Sequence, residues 1–350
     1  MIWISEKVIV TLRKYDEDKD MTKLLNKVDE LYALGIRRYR FNLGKLSNKQ
    51  TIEDTFIVIK KMKSLYGDIR IMVDLGYPGT GVRFQLPADE KKRKFSKDEV
   101  IFFISTQYSG QEAYNTLRIN AHDLRPLFTE GQLLYYRDGD VMFRVVSCIS
   151  QDKVSVIPLM NIKIKANAAI KCGTFIKDHD THGMVMSLVD DAQPEEIALS
   201  FVENPKDILA LKKELTYSSY KIISKIETTK GLLHLDDIID HSHGIMLARG
   251  DLAFNSPLSD FYYNQSKVIR ETRLRNKDIY VATDILSSYC KLAFPSRSDV
   301  IDLGRIIAEN VSGIILNGNL VSSQNFEQAL HLIEDMYIKF AKGLLVYDCS

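Results

Sequence analysis

The sequence is poor in cysteine, and the few cysteines that it has are scattered. No two of them form a C-x-x-C pair, so neither a disulfide framework nor a structural zinc site is predicted. The amino terminus also lacks the basic, apolar and small-residue order of a signal peptide. A reducing cytoplasm is therefore the expected compartment. The cysteines are Cys148, Cys172, Cys290 and Cys349.

Long apolar runs and an excess of charge are missing as well. No apolar stretch approaches the roughly 20 residues of a membrane span, so no membrane partner is expected. The formal net charge is only +1, which gives no reason to expect nucleic acid as the main partner. The hydrophobic fraction of 45% is that of an ordinary globular protein, and 350 residues are enough for one large barrel or two domains.

Strand patterns alternate with amphipathic helix patterns near both ends of the chain. The first 75 residues are predicted as βαβαβ, and the alternation resumes near residue 197. Eight strands alternating with helices over roughly 250 residues predict an α/β fold, the (β/α)8 or TIM barrel. The predicted strands are Val8–Leu12, Ile36–Asn42, Ile69–Asp74, Ile197–Phe201, Ile222–Ile226, Gly244–Ala248, Ile279–Thr283 and Gly313–Leu316.

The middle of the chain breaks this alternation. Glycines and a proline mark a loop after Asp74, and residues 88–98 are strongly charged. From about residue 100 to 173 the segments are short, aromatic and β-branched, which is typical of an all-β domain. We predict such a domain as an insert after strand three, and its two connections to the barrel suit a lid. The predicted boundaries are 1–85 and 173–350 for the barrel and 86–172 for the insert.

Polar residues mark the carboxyl ends of the predicted strands, where barrels of this kind place their active sites. Lys225 and Glu227 share one face of a strand, and Asp251 follows the next strand. One ammonium and two carboxylates are therefore expected to converge, and such a set can hold a divalent cation and the anion it chelates. The alternative is a purely structural salt-bridge network, which has no reason to choose this face. Other polar residues at the same ends are Arg40, Asn42, Asp74, Ser200 and Thr283.

The segments that carry these residues resemble those of pyruvate kinases. The resemblance covers nearly the whole chain, and it implies that the inserted β domain is the lid domain of that family. It also implies a phosphotransferase that acts on phosphoenolpyruvate and a nucleoside diphosphate. The segments are I-S-K-I-E at 223–227, G-I-M-L-A-R-G-D-L at 244–252, A-L-S-F at 198–201, R-F-N at 40–42 and A-T at 282–283.

The resemblance implies roles for individual residues. Lys225 corresponds to the catalytic lysine that stabilises charge on the transferred phosphoryl group, and Glu227 and Asp251 correspond to ligands of Mg2+ or Mn2+. Arg40 and Thr283 are implied as further catalytic residues, the first at the phosphate and the second at the enolate face. The implied substrate contacts are Gly250, Asp251, Thr283, Arg40 and Ser200.

Departures from the family pattern fall on the nucleotide and monovalent-cation side. Asn42 and Asp74 match two ligands of the family's K+, but Gly44 and Leu75 stand at the other two positions, so the K+ site is incomplete. Lys45 replaces a histidine that helps to hold the nucleotide. The remaining departures are Arg83, a candidate phosphate contact displaced by two positions, Glu203 in place of an arginine, and a sequence that stops short of the family's carboxyl-terminal domain.

Three functions remain open on this basis. The first is a divergent pyruvate kinase-like phosphotransferase. The second is a repurposed metal-dependent enolate enzyme on pyruvate, phosphoenolpyruvate or another 2-oxoacid, with decarboxylase, aldolase or phosphatase-like activity. The third is a non-catalytic pseudokinase module, against which the intact Lys225, Glu227 and Asp251 argue. The expected partners are these small molecules, with ADP or ATP for the first function, and a homo-oligomer is compatible with the sequence.

Overall fold

The chain forms a (β/α)8 barrel with an all-β unit inserted after the third barrel strand. The structure is a computed structural model and describes residues 2–12, 21–46, 49–76, 82–87, 89–136, 141–166, 168–172 and 179–343. The barrel belongs to a unit made of Met1–Pro78 and His179–Ser350, and the inserted unit is Gly79–Asp178. No helix of the described residues is long and apolar enough to cross a membrane.

The strands are numbered in chain order. They are β1 Val8–Thr11, β2 Arg38–Asn42, β3 Arg70–Asp74, β4 Val82–Gln85, β5 Lys92–Phe95, β6 Ile101–Ile104, β7 Thr116–Ile119, β8 Leu133–Tyr136, β9 Val141–Ser150, β10 Lys153–Pro158, β11 Ile162–Lys165, β12 Ala169–Lys171, β13 Glu196–Leu199, β14 Lys221–Ile226, β15 Gly244–Ala248, β16 Asp278–Ala282 and β17 Gly313–Leu316.

The helices are numbered in the same way. They are α1 Ile2–Lys7, α2 Met21–Ala33, α3 Lys49–Leu65, α4 His179–Ala192, α5 Pro205–Glu214, α6 Thr229–Leu233, α7 Leu235–His241, α8 Arg249–Asn255, α9 Phe261–Leu274, α10 Arg297–Ala308, α11 Gly318–Val321 and α12 Phe326–Ala341. The short helices α8 and α11 follow β15 and β17 directly, at the carboxyl ends of the barrel strands.

The barrel closes in the order β1-β17-β16-β15-β14-β13-β3-β2, and all of the neighbouring pairs are parallel. Its strands are buried on both faces, because one face packs against the helices and the other fills the barrel interior. This burial explains why they are near-continuous apolar runs rather than alternating patterns. The predicted barrel and its eight strands are confirmed.

The barrel interior is layered, because every second residue of a strand faces inward. The middle layer is apolar and includes Met72, Ala198 and Ile223. Two residues further along their strands, the same face carries the polar side chains of the candidate site. Because alternate residues of a strand share a face, these polar side chains lie together inside one end of the barrel.

A polar layer also closes the opposite, amino-terminal end of the barrel. Arg38 is buried and donates hydrogen bonds to Glu196, at 2.9 and 3.1 Å, and to the Tyr280 hydroxyl at 2.9 Å. Tyr280 in turn donates to Glu196 at 2.8 Å. The charges of this layer neutralise one another, which identifies it as part of the barrel's packing rather than as a site for chemistry.

The inserted unit is all-β, as predicted. Its strands form a closed barrel in the order β10-β6-β7-β4-β12-β8-β9, with β11 and β5 as a separate two-stranded sheet. The unit begins earlier than the predicted residue 86, because β4 pairs with β7 and β12 inside it. The charged run at 88–98 contains a strand that the charge pattern did not indicate, namely β5. Similarly, the amphipathic segment predicted between β14 and β15 is two helices, separated at His234.

Candidate active site

Asp74 lies at the centre of a buried polar network at the carboxyl ends of the barrel strands. Arg40 donates to Asp74 Oδ2 from Nε at 3.1 Å and from Nη2 at 2.5 Å. Lys225 Nζ lies 3.2 Å from the same oxygen and 2.7 Å from Ser200 Oγ, and Ser200 donates to Asp74 Oδ1 at 3.2 Å. Residues of four different strand ends therefore meet in one network, as the sequence pattern predicted.

The charges of this network stabilise one another. Burial alone would raise the pKa of Asp74, but Lys225 and Arg40 outweigh it and hold that pKa at about 2. Burial likewise opposes the charged form of Lys225, yet Asp74 and Glu227 raise its pKa above the ordinary value. The network therefore holds a permanently protonated lysine and an ionised aspartate in a site that is largely closed to water.

Glu227 has a surplus of negative charge around it. Its Oε2 accepts a hydrogen bond from the Phe201 amide at 2.7 Å, whereas Oε1 is buried without a hydrogen bond and has only the Lys225 ammonium nearby, at 3.1 Å. Burial raises the pKa of Glu227 to about 7; Lys225 opposes this shift and Asp251 adds to it. A second cation beside this carboxylate would satisfy both its free oxygen and its charge.

The residues present fit a hard divalent cation. Mg2+ takes oxygen ligands and is usually bound by one or two carboxylates together with substrate oxygens and water. Glu227 supplies one carboxylate with a free oxygen, and Asp251, in the first turn of α8 just after β15, supplies a second whose charge acts on the first. Within the described ranges no group of three or more His, Cys, Asp or Glu side chains forms a metal cluster. Substrate oxygens and water would complete the coordination of a cation held here.

Strained backbone surrounds the network. Phe201, at φ +54°, turns its amide towards Glu227. Thr283 follows β16 at φ +78°, which is an outlier for a β-branched residue. Such strain persists only where neighbouring contacts enforce it, and it is common at functional sites. Thr283, which was predicted as a site residue, therefore lies in a strained conformation that contacts with its neighbours have to maintain.

Arg249 is the residue that maintains it. The buried guanidinium donates to the Thr283 carbonyl from Nε at 3.0 Å and from Nη2 at 2.6 Å, and its Nη1 pairs with both carboxylate oxygens of Asp302 on α10. Gly250 leaves the necessary room, since a Cβ at this position would lie 2.9 Å from Thr283 Cγ2. The first two residues of α8 thus contact the first residue after β16.

The predicted monovalent-cation ligands are engaged within the protein. Asn42 Oδ1 accepts a hydrogen bond from the Gly44 amide at 3.1 Å and so caps the 3-10 turn Leu43–Lys45. The backbones of Gly44 and Gly76 touch, because a Cβ on Gly44 would lie 3.1 Å from the Gly76 carbonyl oxygen. Gly76 also donates to Asp74 Oδ1 at 3.2 Å. The two loops that follow β2 and β3 therefore approach each other closely here through their backbones.

The two predicted nucleotide or phosphate contacts are Lys45 and Arg83. Lys45 ends the 3-10 turn after β2, and its side chain lies outside the described residues. Arg83 belongs to β4 of the inserted unit, where burial lowers its pKa. Glu203, beyond β13, accepts hydrogen bonds from Thr228 Oγ1 at 3.3 Å and from Lys230 Nζ at 2.9 Å.

Sequence reasoning missed two members of the site. One is Arg249, which stands inside the recognised segment but was not assigned a role. The other is Thr11, at the end of β1, whose Oγ1 accepts a hydrogen bond from Arg40 Nη1 at 3.0 Å. Applying the strand-end rule to the first strand would have found Thr11. No local signal would have found the bond from Arg249 to Thr283, since it joins segments 34 residues apart.

Comparisons with known proteins agree with this fold. The family model described as pyruvate kinase, barrel domain, matches residues 6–329. The chain is 26% identical to the pyruvate kinase of Thermotoga maritima, over 99% of the chain and 74% of that protein. It is 27% identical to the pyruvate kinase of Thermococcus litoralis and 24% identical to that of Candida albicans, each over 89% of the chain. The chain spans 64% and 63% of these two relatives.

Proposed function

The chain belongs to the pyruvate kinase family, and from that premise we propose that it is a divergent phosphotransferase. The proposed reaction moves a phosphoryl group between phosphoenolpyruvate and a nucleoside diphosphate, with a divalent cation. The observation that carries the proposal is the buried network of Arg40, Asp74, Ser200 and Lys225, with Glu227 beside it. We also propose that the inserted unit acts as the lid of this site, on its two connections to the barrel.

The proposed reaction breaks the bond between phosphorus and the enol oxygen and forms one between phosphorus and an oxygen of the nucleoside diphosphate. The electron pair of the broken bond stays on the enol oxygen, and a proton added to the methylene carbon then gives pyruvate. Charge builds up on the phosphoryl oxygens and on the enolate, so fixed positive charge at both places lowers the barrier.

Two side chains of the network supply that charge. Lys225 is held protonated by Asp74 and Glu227, and it cannot drift away from the reacting atoms because it also bonds Ser200. Arg40 uses three of its five N–H groups on Asp74 and Thr11, which leaves the others for a phosphoryl oxygen. Their position between fixed partners means that neither has to reorganise during the reaction.

Glu227 and Asp251 would hold the divalent cation, and Mg2+ or Mn2+ there would polarise the carboxylate and enol oxygens of the substrate. The chain's own contribution is to hold Glu227 in place, whereas the bound cation would favour its ionised form. The Phe201 amide fixes one oxygen of its carboxylate, and Asn255 Nδ2 donates to the Glu227 carbonyl at 3.0 Å. Gly250 and Asp251, in the first turn of α8, are the proposed contacts for the substrate carboxylate, with Thr283 at the enolate face.

A second candidate function keeps the enolate chemistry without a nucleotide. Two observations support it, both at positions that contact nucleotide or K+ in the family. Glu203 carries a negative charge, and the loops at Gly44 and Gly76 approach each other closely. The substrate would then be pyruvate, phosphoenolpyruvate or another 2-oxoacid. A non-catalytic module is the least economical alternative, because a cluster of charges is costly to bury and a pseudokinase has no need to retain one.

One assay separates these functions. Phosphoenolpyruvate, Mg2+ and ADP are incubated with the protein, and pyruvate and ATP are measured separately. Formation of both in equal amounts is expected from the kinase, and pyruvate alone would point to the second candidate. Exchange of the pyruvate methyl hydrogens for deuterium, followed by NMR, reports enolisation when neither product forms.

Lys225→Met is the matching variant. It should abolish turnover and exchange, because the charge beside the reacting oxygens is lost. Lys221→Met is its control, since Lys221 lies on the same strand at the opposite end and is exposed. If Lys225→Met kept full activity in both assays, both enzymatic proposals would be wrong.

A further inference from the structure

The inserted unit presents a compact cluster of lysines that none of the proposed chemistry uses. Strands β5 and β11 form a two-stranded antiparallel sheet with Phe95 and Ile164 among the side chains of its buried face. The other face is exposed and carries one lysine at every second position of each strand. This exposed set, called the lysine face below, is Lys92, Lys94, Lys163 and Lys165.

The register places like charges directly opposite each other. Lys94 pairs with Lys163, and Lys92 pairs with Lys165. Opposite residues on a sheet lie about 5 Å apart at Cβ, and residues two apart on one strand lie about 7 Å apart. Four ammonium groups therefore share a small square of surface, and their mutual repulsion lowers the pKa of Lys163, chiefly through contact with Lys92.

The neighbouring acidic groups do not neutralise the four positive charges of the lysine face. Glu90 is bound to Arg93, which points away from the lysine face, and Glu99 accepts the Ser96 amide at 2.8 Å. None of the four lysines forms an ion pair with any other residue of the described ranges. The repulsion is not a by-product of a basic protein either, since the net charge of the chain is +1.

Protection of a sheet edge against aggregation is the simplest structural explanation for exposed lysines on a short sheet. That purpose is served equally well by opposite charges across the two strands, which would attract each other. Here both cross-strand pairs are lysine with lysine, an arrangement that is unfavourable until an anion lies between them. The sheet therefore accepts a cost that edge protection does not require.

An open depression adjoins the lysine face. Its volume is about 410 Å3, and it is lined by Lys94, Lys163, Ser96 and Asn161 together with Phe95 and Ile162. This volume is within the range of sites for small molecules.

We propose that the lysine face and this depression bind a small anion with two or more linked phosphate groups. Neighbouring phosphates of such an anion are a few ångströms apart, which suits two cross-strand lysine pairs. Charge-assisted hydrogen bonds from four ammonium groups would replace repulsion by attraction. This site lies within the inserted unit, and its existence does not depend on the reaction proposed for the barrel.

The test uses the full chain and sodium tripolyphosphate in EDTA, with binding measured by calorimetry and stability by thermal unfolding. Lys94→Gln/Lys163→Gln should weaken binding by about tenfold or more, because two charge-assisted contacts are lost. Without the anion the same variant should unfold at an equal or higher temperature than the parent, because a repulsive pair has gone. The matched control is Lys206→Gln/Lys213→Gln, which removes two exposed charges from α5.

Each outcome decides the proposal. Loss of binding in the lysine-face variant alone would establish the site. Equal affinity in parent and lysine-face variant, or equal losses in both double variants, would overturn it in favour of general charge attraction. Tighter binding of a single-stranded oligonucleotide than of tripolyphosphate, dependent on the same lysines, would overturn the small-anion assignment and indicate a nucleic-acid surface instead.

Discussion

The position of Thr283 should depend on Arg249, and the substitution Arg249→Lys tests this dependence. The guanidinium bridges the Thr283 carbonyl and the Asp302 carboxylate with a planar fork of donors. Lysine keeps the charge but is a single point donor, so it cannot reach the carbonyl and both carboxylate oxygens together. At least one charge-assisted hydrogen bond to Thr283 is therefore lost.

The size of the effect follows from two opposing energies. Holding Thr283 at φ +78° costs about 1–3 kcal/mol, and each hydrogen bond from a charged donor contributes about 1.5–3 kcal/mol. The energy of one such hydrogen bond is about equal to the strain energy, so its loss removes the stabilisation that keeps Thr283 in the strained conformation. Thr283 should then relax towards the extended region. With about 1.4 kcal/mol for each tenfold change in rate, kcat should fall by roughly 10- to 100-fold.

A double-mutant cycle distinguishes positioning from a general loss of stability. Turnover, or deuterium exchange into pyruvate, is measured for Arg249→Lys, Thr283→Ala and the double variant. If Arg249 acts through Thr283, the double variant should be about as fast as Thr283→Ala alone, because the second change has nothing left to disturb. Multiplied losses would refute this reasoning. Arg275→Lys is the control, because Arg275 also bridges a carbonyl and carboxylates but lies on the outer surface of the barrel.

Three further predictions concern the same end of the barrel. Asp74→Asn should destabilise the protein at pH 7 by about 3–5 kcal/mol, because two buried cations lose their shared anion. The pKa of Asp74 lies near 2, below its unfolded value of about 3.9, so its contribution is present above the unfolded value and disappears as the pH falls towards 2. The difference in Tm between variant and parent should therefore narrow on acidification, and a constant difference would contradict this. Gly250→Ala should lower kcat with little change in Tm, because its Cβ would push against Thr283, whereas Gly183→Ala, with open space around its Cβ, should leave kcat unchanged. Replacing K+ by tetramethylammonium should change turnover by no more than about twofold, because the side-chain oxygens of Asn42 and Asp74 at the incomplete K+ site already have partners inside the protein. Strong activation by K+ would show instead that those oxygens turn outward to bind the ion.

Much of the fold could be predicted from the sequence, because strand periodicity and the polar residues at strand ends are features of short segments. The inward face of a strand repeats every two residues, and the chain keeps that period from Met72 to Asp74 and from Ile223 to Lys225. Parallel strands end at the same side of the sheet, so the polar residues after each of them had to meet. The convergence of Arg40, Asp74 and Lys225 was therefore predictable, whereas their catalytic roles remain proposals.

The sequence by itself determined which segments are the barrel strands, at which end those strands carry polar residues and to which family the chain belongs. Only the tertiary structure decided how those ends act on one another. Closure of the barrel brings Arg249 against Thr283 and leaves one oxygen of Glu227 without a hydrogen bond, and strand register sets Lys94 opposite Lys163. These relations join segments far apart in the chain, and their energies depend on burial and on partners that no local pattern records.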